Sequence, residues 1–169
     1  MLFLVRHGRP RIEPGVPPSE WELDPAGFDD IWALRESGRL PRGCRWFSSP
    51  EPKALATAQL LTDDEVGVVE GLREHVRETG DWIEDHAGTV RRAFAEPERS
   101  AYDGWEPLAE LRERVGTVVR GLVADHPGED LVLVGHGTAW TVVVSELTGA
   151  PPDLARWSRM AMPDVIPVP

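Results

Sequence analysis

Two His-Gly pairs stand directly behind apolar runs. One is Leu2-Phe3-Leu4-Val5-Arg6-His7-Gly8; the other is Leu131-Val132-Leu133-Val134-Gly135-His136-Gly137. A neutral imidazole can attack phosphorus and carry the phosphoryl group transiently. Arg6, beside the first histidine, suits an oxyanion. Between the two pairs, Ser48-Ser49 precedes Lys53 at the start of an expected helix, and helix starts present free N–H groups and a positive dipole end. Brought together, Arg6, His7, Lys53 and His136 make a phosphoryl site, in which one imidazole attacks and the other groups neutralise charge on the phosphate oxygens. One carboxyl group must protonate the leaving alcohol and later deprotonate water. No metal or cofactor is required.

That chemistry needs both histidines at one edge of one sheet. Each short apolar run suits a strand buried on both faces, and in open α/β sheets ligands bind beyond the carboxyl ends of the strands. Residues 9 to 20, with four prolines and a glycine, form a loop over the first strand end. A helix then starts at Asp24-Pro25, with Phe28, Ile31, Trp32 and Leu34 on its apolar face and Gly38 as its stop. Cys44 to Ser49 reads as a strand, Pro50 or Pro52 to Leu61 as a helix, and Val66 to Val69 as a third strand. Residues 71 to 103 lack periodicity apart from a helix near Thr89 to Ala95, and should lie across the sheet end. Leu108, Leu111, Val115, Val118, Val119 and Leu122 follow one helical face. Asp130 to Val134 is a buried strand, followed by helices over about Thr138 to Leu147 and Asp153 to Met160. Met162 to Pro169, with three prolines, can be only an edge strand or an extended segment. The pattern predicts one α/β domain over residues 1–169, a three-layer α/β/α sandwich with a mostly parallel central sheet.

The 169 residues carry a formal net charge of −11, which repels nucleic acid and anionic membranes. An anion site must therefore be a local cluster of cations, and the partner expected is a small phosphorylated substrate. A single cysteine, Cys44, excludes an internal disulfide and cysteine-rich metal sites; it reads as a buried, inert thiol. No apolar run is long enough to span a bilayer, and the cytoplasm is the default compartment. Nothing in the pattern specifies an oligomeric state. His75, His86 and His126 have no ligand-like spacing and read as surface residues. Most of the seven tryptophans read as core, with Trp21 and Trp140 placed near the pocket; Arg9 and Trp21 are weaker candidates for substrate contact. No nucleophile elbow, Walker loop or helical pair of metal-spaced histidines occurs.

These residues resemble the histidine phosphatase superfamily, which includes the cofactor-dependent phosphoglycerate mutases. Val5-Arg6-His7-Gly8 matches its opening strand. Ser48-Ser49, Lys53 and Thr57-Ala58 match its second motif, Leu72-Arg73-Glu74 the element that supplies its acid, and Val134-Gly135-His136-Gly137 its second His-Gly. Gly104-Trp105-Glu106 and Arg114-Val115 echo a further element. The resemblance implies a phosphoglycerate mutase-like fold and a phosphohistidine on His7. It further implies a phosphate pocket of Arg6, Lys53 and His136, with Glu74 as acid/base. The chain departs from the pattern in two places. Lys53 stands where the family usually has arginine, which keeps the charge and loses the bidentate fork. Gly80-Asp81-Trp82 lies two residues too far from Glu74, which brings Glu78 into play as the acid. The chain is short for the family, which favours hydrolysis of a phosphomonoester. A phosphoglycerate-type mutase, or a phosphate-ester binding module without turnover, are the alternatives.

Overall fold

A computed structural model describes all 169 residues. The apolar runs form five strands: β1 (Leu2–Arg6), β2 (Arg45–Ser48), β3 (Val66–Val68), β4 (Leu131–Gly135) and β5 (Asp164–Val168). Six helices accompany them: α1 (Phe28–Glu36), α2 (Pro52–Leu61), α3 (His86–Ala95), α4 (Leu108–Asp125), α5 (Gly137–Thr148) and α6 (Leu154–Arg159). The strands make one sheet in the order β3-β2-β4-β1-β5. All pairings are parallel except that of β5 with β1, so the proline-rich tail is an antiparallel edge strand.

Alternation along the two central strands divides the core. Leu2, Leu4, Leu131 and Leu133 pack against α4 and α5. Val5, Val132 and Val134 pack on the other face with Ile31 and Leu34 of α1 and Ala54, Ala58 and Leu61 of α2. Each fully buried Leu or Val contributes roughly 1.5–3 kcal/mol. Every residue of β4 is buried, as expected for a central strand covered on both sides. These are the three layers that the sequence pattern predicts.

Local differences have local causes. The Asp24 side chain accepts from Ala26 N at 2.9 Å and caps a single 3₁₀ turn, Pro25–Gly27, so the α-helix itself starts only at Phe28. Trp32, expected on the apolar face, is 52% exposed, and Ile31 and Leu34 carry that face instead. The third helix starts at His86, earlier than its periodicity suggests, because Asp85 caps it by accepting from Gly88 N at 2.8 Å.

Close packing also explains the glycine after His7. A Cβ on Gly8 would lie 2.6 Å from Ile31 Cδ1 and 3.1 Å from Leu23 Cδ1, so α1 can close over the strand end only if that position has no side chain. Gly8→Ala is expected to destabilise the protein by about 1–3 kcal/mol through overpacking, and Ile31→Val in the same chain should restore part of the loss. Urea unfolding of the two single variants and the double variant measures this; purely additive effects would show that the contact does not set the cost.

Candidate active site

β1 and β4 are neighbours, with Arg6 opposite Gly135. The helices that follow them pack on opposite faces of the sheet. A crevice opens where two adjacent strands send their connections to opposite sides, and the two histidines stand at its floor, ring centroids 5.2 Å apart. A cavity of about 960 Å³ rises above them, lined by the loop after β1, residues from Arg73 to His86, Trp105 and the strand ends.

His7 is buried and held at three points. Its backbone N–H donates to Gly135 O at 2.9 Å, and its Nδ1 donates to Gly8 O at 2.6 Å. The Gly8 N–H donates to Thr57 Oγ1 at 2.9 Å, and Thr57 Oγ1 donates to Lys53 O at 2.7 Å. Thr57 of the Thr-Ala motif thus fixes the peptide after His7. With the proton on Nδ1, the lone pair sits on Nε2. Burial, then His136 and Lys53, hold the imidazole well below its ordinary pKa of 6.5, with a smaller push from Arg6. A neutral, oriented imidazole is the form that attacks phosphorus.

Arg6, Lys53 and His136 converge on the same cavity. Arg6 Nη1 donates to Met160 O at 2.5 Å, and its Nε is buried without a partner. Lys53 is buried, and its ammonium donates to Pro18 O at 2.5 Å and Glu51 Oε2 at 2.6 Å. His136 Nε2 lies 2.8 Å from Ser49 Oγ and 3.5 Å from Glu51 Oε1. Burial pushes His136 down to about 3 against the pull of Glu74, and the nearby cations add to the lowering. Glu51, for which the sequence suggested no role, is a buried carboxylate lining the same cavity. It binds Lys53 and accepts the Glu74 N–H at 2.9 Å.

Glu74 faces the cavity, whereas Glu78 is exposed and does not line it. The Glu74 carboxylate accepts from His75 N at 2.9 Å, Thr138 N at 3.1 Å and Ala139 N at 2.9 Å, so it caps the start of α5. Burial opposes its ionisation, but His136, Arg77 and the His75 N–H outweigh that and hold it below the ordinary carboxylate range. A buckle keeps its backbone in place. Arg114 donates to the carbonyls of Gly71, Arg73 and Glu74 and pairs with Glu106, whose Oε1 accepts the Val76 N–H at 2.8 Å. The Gly-x-Glu and Arg-Val elements therefore position Glu74.

Three expectations are corrected. His75 is buried, with Nε2 2.7 Å from Glu106 O, and His75 and His86 line the cavity beside Trp105. His126 packs against Phe47. None of the three is a solvated surface histidine, because the segment carrying the first two folds down over the sheet end. Of the tryptophans, only Trp46, Trp105 and Trp140 are buried. Trp140 is wholly core rather than pocket wall: its ring packs against Gly135 and its Nε1 donates to Val5 O at 2.8 Å. Trp21 and Arg9 do line the cavity, as does Arg77, which sequence reading missed. The two-residue excess before Gly80 was the available signal for Arg77, since it marks where this wall differs from the family pattern.

A sequence model described as the histidine phosphatase superfamily, branch 1, matches residues 2–165. The chain belongs to the histidine phosphatase superfamily. It is an enzyme of the histidine phosphatase type. Among solved structures of the same fold, a mycobacterial glucosyl-3-phosphoglycerate phosphatase aligns over 95% of this chain and 84% of its own, with TM-score 0.72 and 22% identity. Bacillus stearothermophilus YhfR aligns over 99% and 91%, with TM-score 0.76 and 23% identity. An Entamoeba histolytica phosphoserine phosphatase solved with phosphoserine aligns over 94% and 83%, with TM-score 0.71 and 19% identity. No curated protein matches the chain in sequence. No helix is long and apolar enough to cross a membrane.

The histidine phosphatase site makes the fold sensitive to acid. His7, His75 and His136 sit below 6.5, and His86 is pushed down to about 4, with burial the leading cause for each. Below about pH 6.5 the unfolded chain therefore binds more protons than the folded one, so stability present above that pH is lost as pH falls. Calorimetry from pH 8 to pH 5 is expected to show Tm falling on the acid side. A Tm that is flat or rises toward pH 5 contradicts the burial of neutral imidazoles.

Proposed function

We propose that this protein is a phosphatase that hydrolyses a small phosphomonoester through a phosphohistidine on His7. The observation that carries the reading is the His7 ring itself. It is buried and neutral, its Nδ1 is tied to Gly8 O at 2.6 Å, and it sits beside His136 in a cavity also lined by Arg6 and Lys53.

In the first step the phosphoryl group is held by Arg6, Lys53 and His136 while His7 Nε2 attacks phosphorus. A P–N bond forms as the ester P–O bond breaks, and Glu74 gives its proton to the leaving oxygen. A phosphate dianion next to Glu74 opposes its negative charge and raises its affinity for a proton, so the acid is made when substrate arrives. In the second step Glu74 takes a proton from water, the water oxygen attacks phosphorus, and the P–N bond breaks. Inorganic phosphate leaves and His7 is neutral again. The cations counter charge on the phosphate oxygens in both steps, and no metal takes part.

Rapid mixing with a radiolabelled aryl phosphate tests the reading. Wild-type protein should carry an acid-labile, base-stable label and release inorganic phosphate; His7→Ala should do neither. Glu74→Gln should lower turnover by about 10²–10⁴-fold with an unactivated alkyl phosphate and by less with a good aryl leaving group, because the aryl oxygen needs less help from an acid. Undiminished label on His7→Ala would overturn the assignment.

A further inference from the structure

Arg77 lines the catalytic cavity and has no partner there. The guanidinium lies over the Trp105 ring, with Cζ 4.2 Å from its centre. Its Nε is buried without a hydrogen bond, and no carboxylate pairs with it. The other arginines of this wall are engaged: Arg9 with Asp24, Arg11 with Glu13, Arg73 with Glu70, and Arg6 with Met160 O. A cation withdrawn from water and left unpaired is costly, so one held open inside a cavity is an anion site in waiting.

Its position says which anion. Arg77 is three residues beyond Glu74, within about 10 Å along the chain. Its backbone is pinned by the bridge to Trp105 and by the Glu106–Val76 hydrogen bonds. The proton donor must face the leaving oxygen, so Arg77 belongs to the leaving-group side of the cavity. The charges agree. Lys53 is already paired with Glu51, and with neutral imidazoles the cations Arg6 and Lys53 are matched by Glu51 and Glu74. Arg77 is a third cation of this cavity and forms no ion pair with Glu51 or Glu74, nor with Asp81 or Glu84 of the exposed rim. The Trp105 face behind the guanidinium fixes its plane and leaves the edge N–H groups for a fork onto an oxyanion.

We propose that Arg77 is a specificity residue binding a second anionic group, a carboxylate or a second phosphate, on the alcohol portion of the substrate. The substrate class is then a phosphomonoester of a short alcohol bearing another anion. This rests on the assignment of His7 and Glu74 above.

Three esters of one carbon length test it: ethyl phosphate, phosphoglycolate and ethane-1,2-diol bisphosphate. For wild-type protein, kcat/KM for at least one ester with an anionic tail should exceed that for ethyl phosphate by about tenfold or more, the scale of a charge-assisted hydrogen bond. Arg77→Gln should abolish that ratio and Arg77→Lys should keep part of it; circular dichroism and the Tm of each variant report its folding. Whether phosphoglycolate or the bisphosphate gains more distinguishes carboxylate from phosphate. Equilibrium binding of the three esters to His7→Ala, with and without Arg77→Gln, reads the same ratio without turnover. A binding preference that needs Arg77, with no hydrolysis by wild-type protein, would sink the phosphatase reading and uphold this one. Absence of any preference, or an equal loss for all three esters in Arg77→Gln, overturns it, the latter because Arg77 would then serve the transferred phosphoryl group or the fold.

Discussion

The register of β1 against β4 is the constraint on which the rest depends. With Arg6 opposite Gly135, the residues that follow each strand emerge side by side, and both are histidines. A slip of one residue would turn every side chain of a strand to the other face, removing Leu2 and Leu4 from one core and Val5 from the other. The hydrophobic layers that stabilise the sheet therefore also fix the distance between His7 and His136. Site geometry and core packing are one specification here.

Around that pair the protein solves an electrostatic problem. A chain of net charge −11 gathers a few cations in one crevice, where dielectric screening is weak, and that local cluster is what the proposed phosphate ester requires. It also buries two carboxylates among them. Glu74 is held by backbone N–H groups at the start of a helix, a site that suits negative charge, which leaves the arginines free. Glu51 takes the opposite course and binds Lys53 directly, so the lysine that replaces the family's usual arginine is also partly neutralised. The pocket is less positive than a list of its basic residues suggests.

Much of this was legible in the sequence because it rests on short-range signals. The apolar runs before His7 and His136, the Asp24 cap and the α4 face each follow from local chemistry. Lys53 stood out by its place at a helix start, and Glu74 came from the resemblance of Leu72-Arg73-Glu74 to the family's acid element; both line the cavity. The segment after Leu72 was harder, because a run containing Glu70, Arg73, Glu74, Arg77 and Glu78 has the composition of a solvated surface. What buries half of it is a set of long-range bonds from Arg114 and Glu106, and no periodicity reports those. Glu51 escaped for the same reason: beside two prolines at a helix start it looks like a turn residue, and only the fold shows it reaching Lys53 and His136. Trp32 failed in the other direction: its spacing suits the apolar face, but Ile31 and Leu34 fill the contact with the core and Trp32 stays exposed.

Lys53 ties the mouth of the cavity to its floor. Its ammonium has three hydrogens; one goes to Glu51 and one to the Pro18 carbonyl in the loop above. The third is left for an oxygen arriving from the cavity, which would share one ammonium with that carbonyl. Any rearrangement of the loop at Pro18 and binding at Lys53 would then be coupled, each shifting the other by the same free energy. The proline-rich loop is in this sense a ligand of the group it covers.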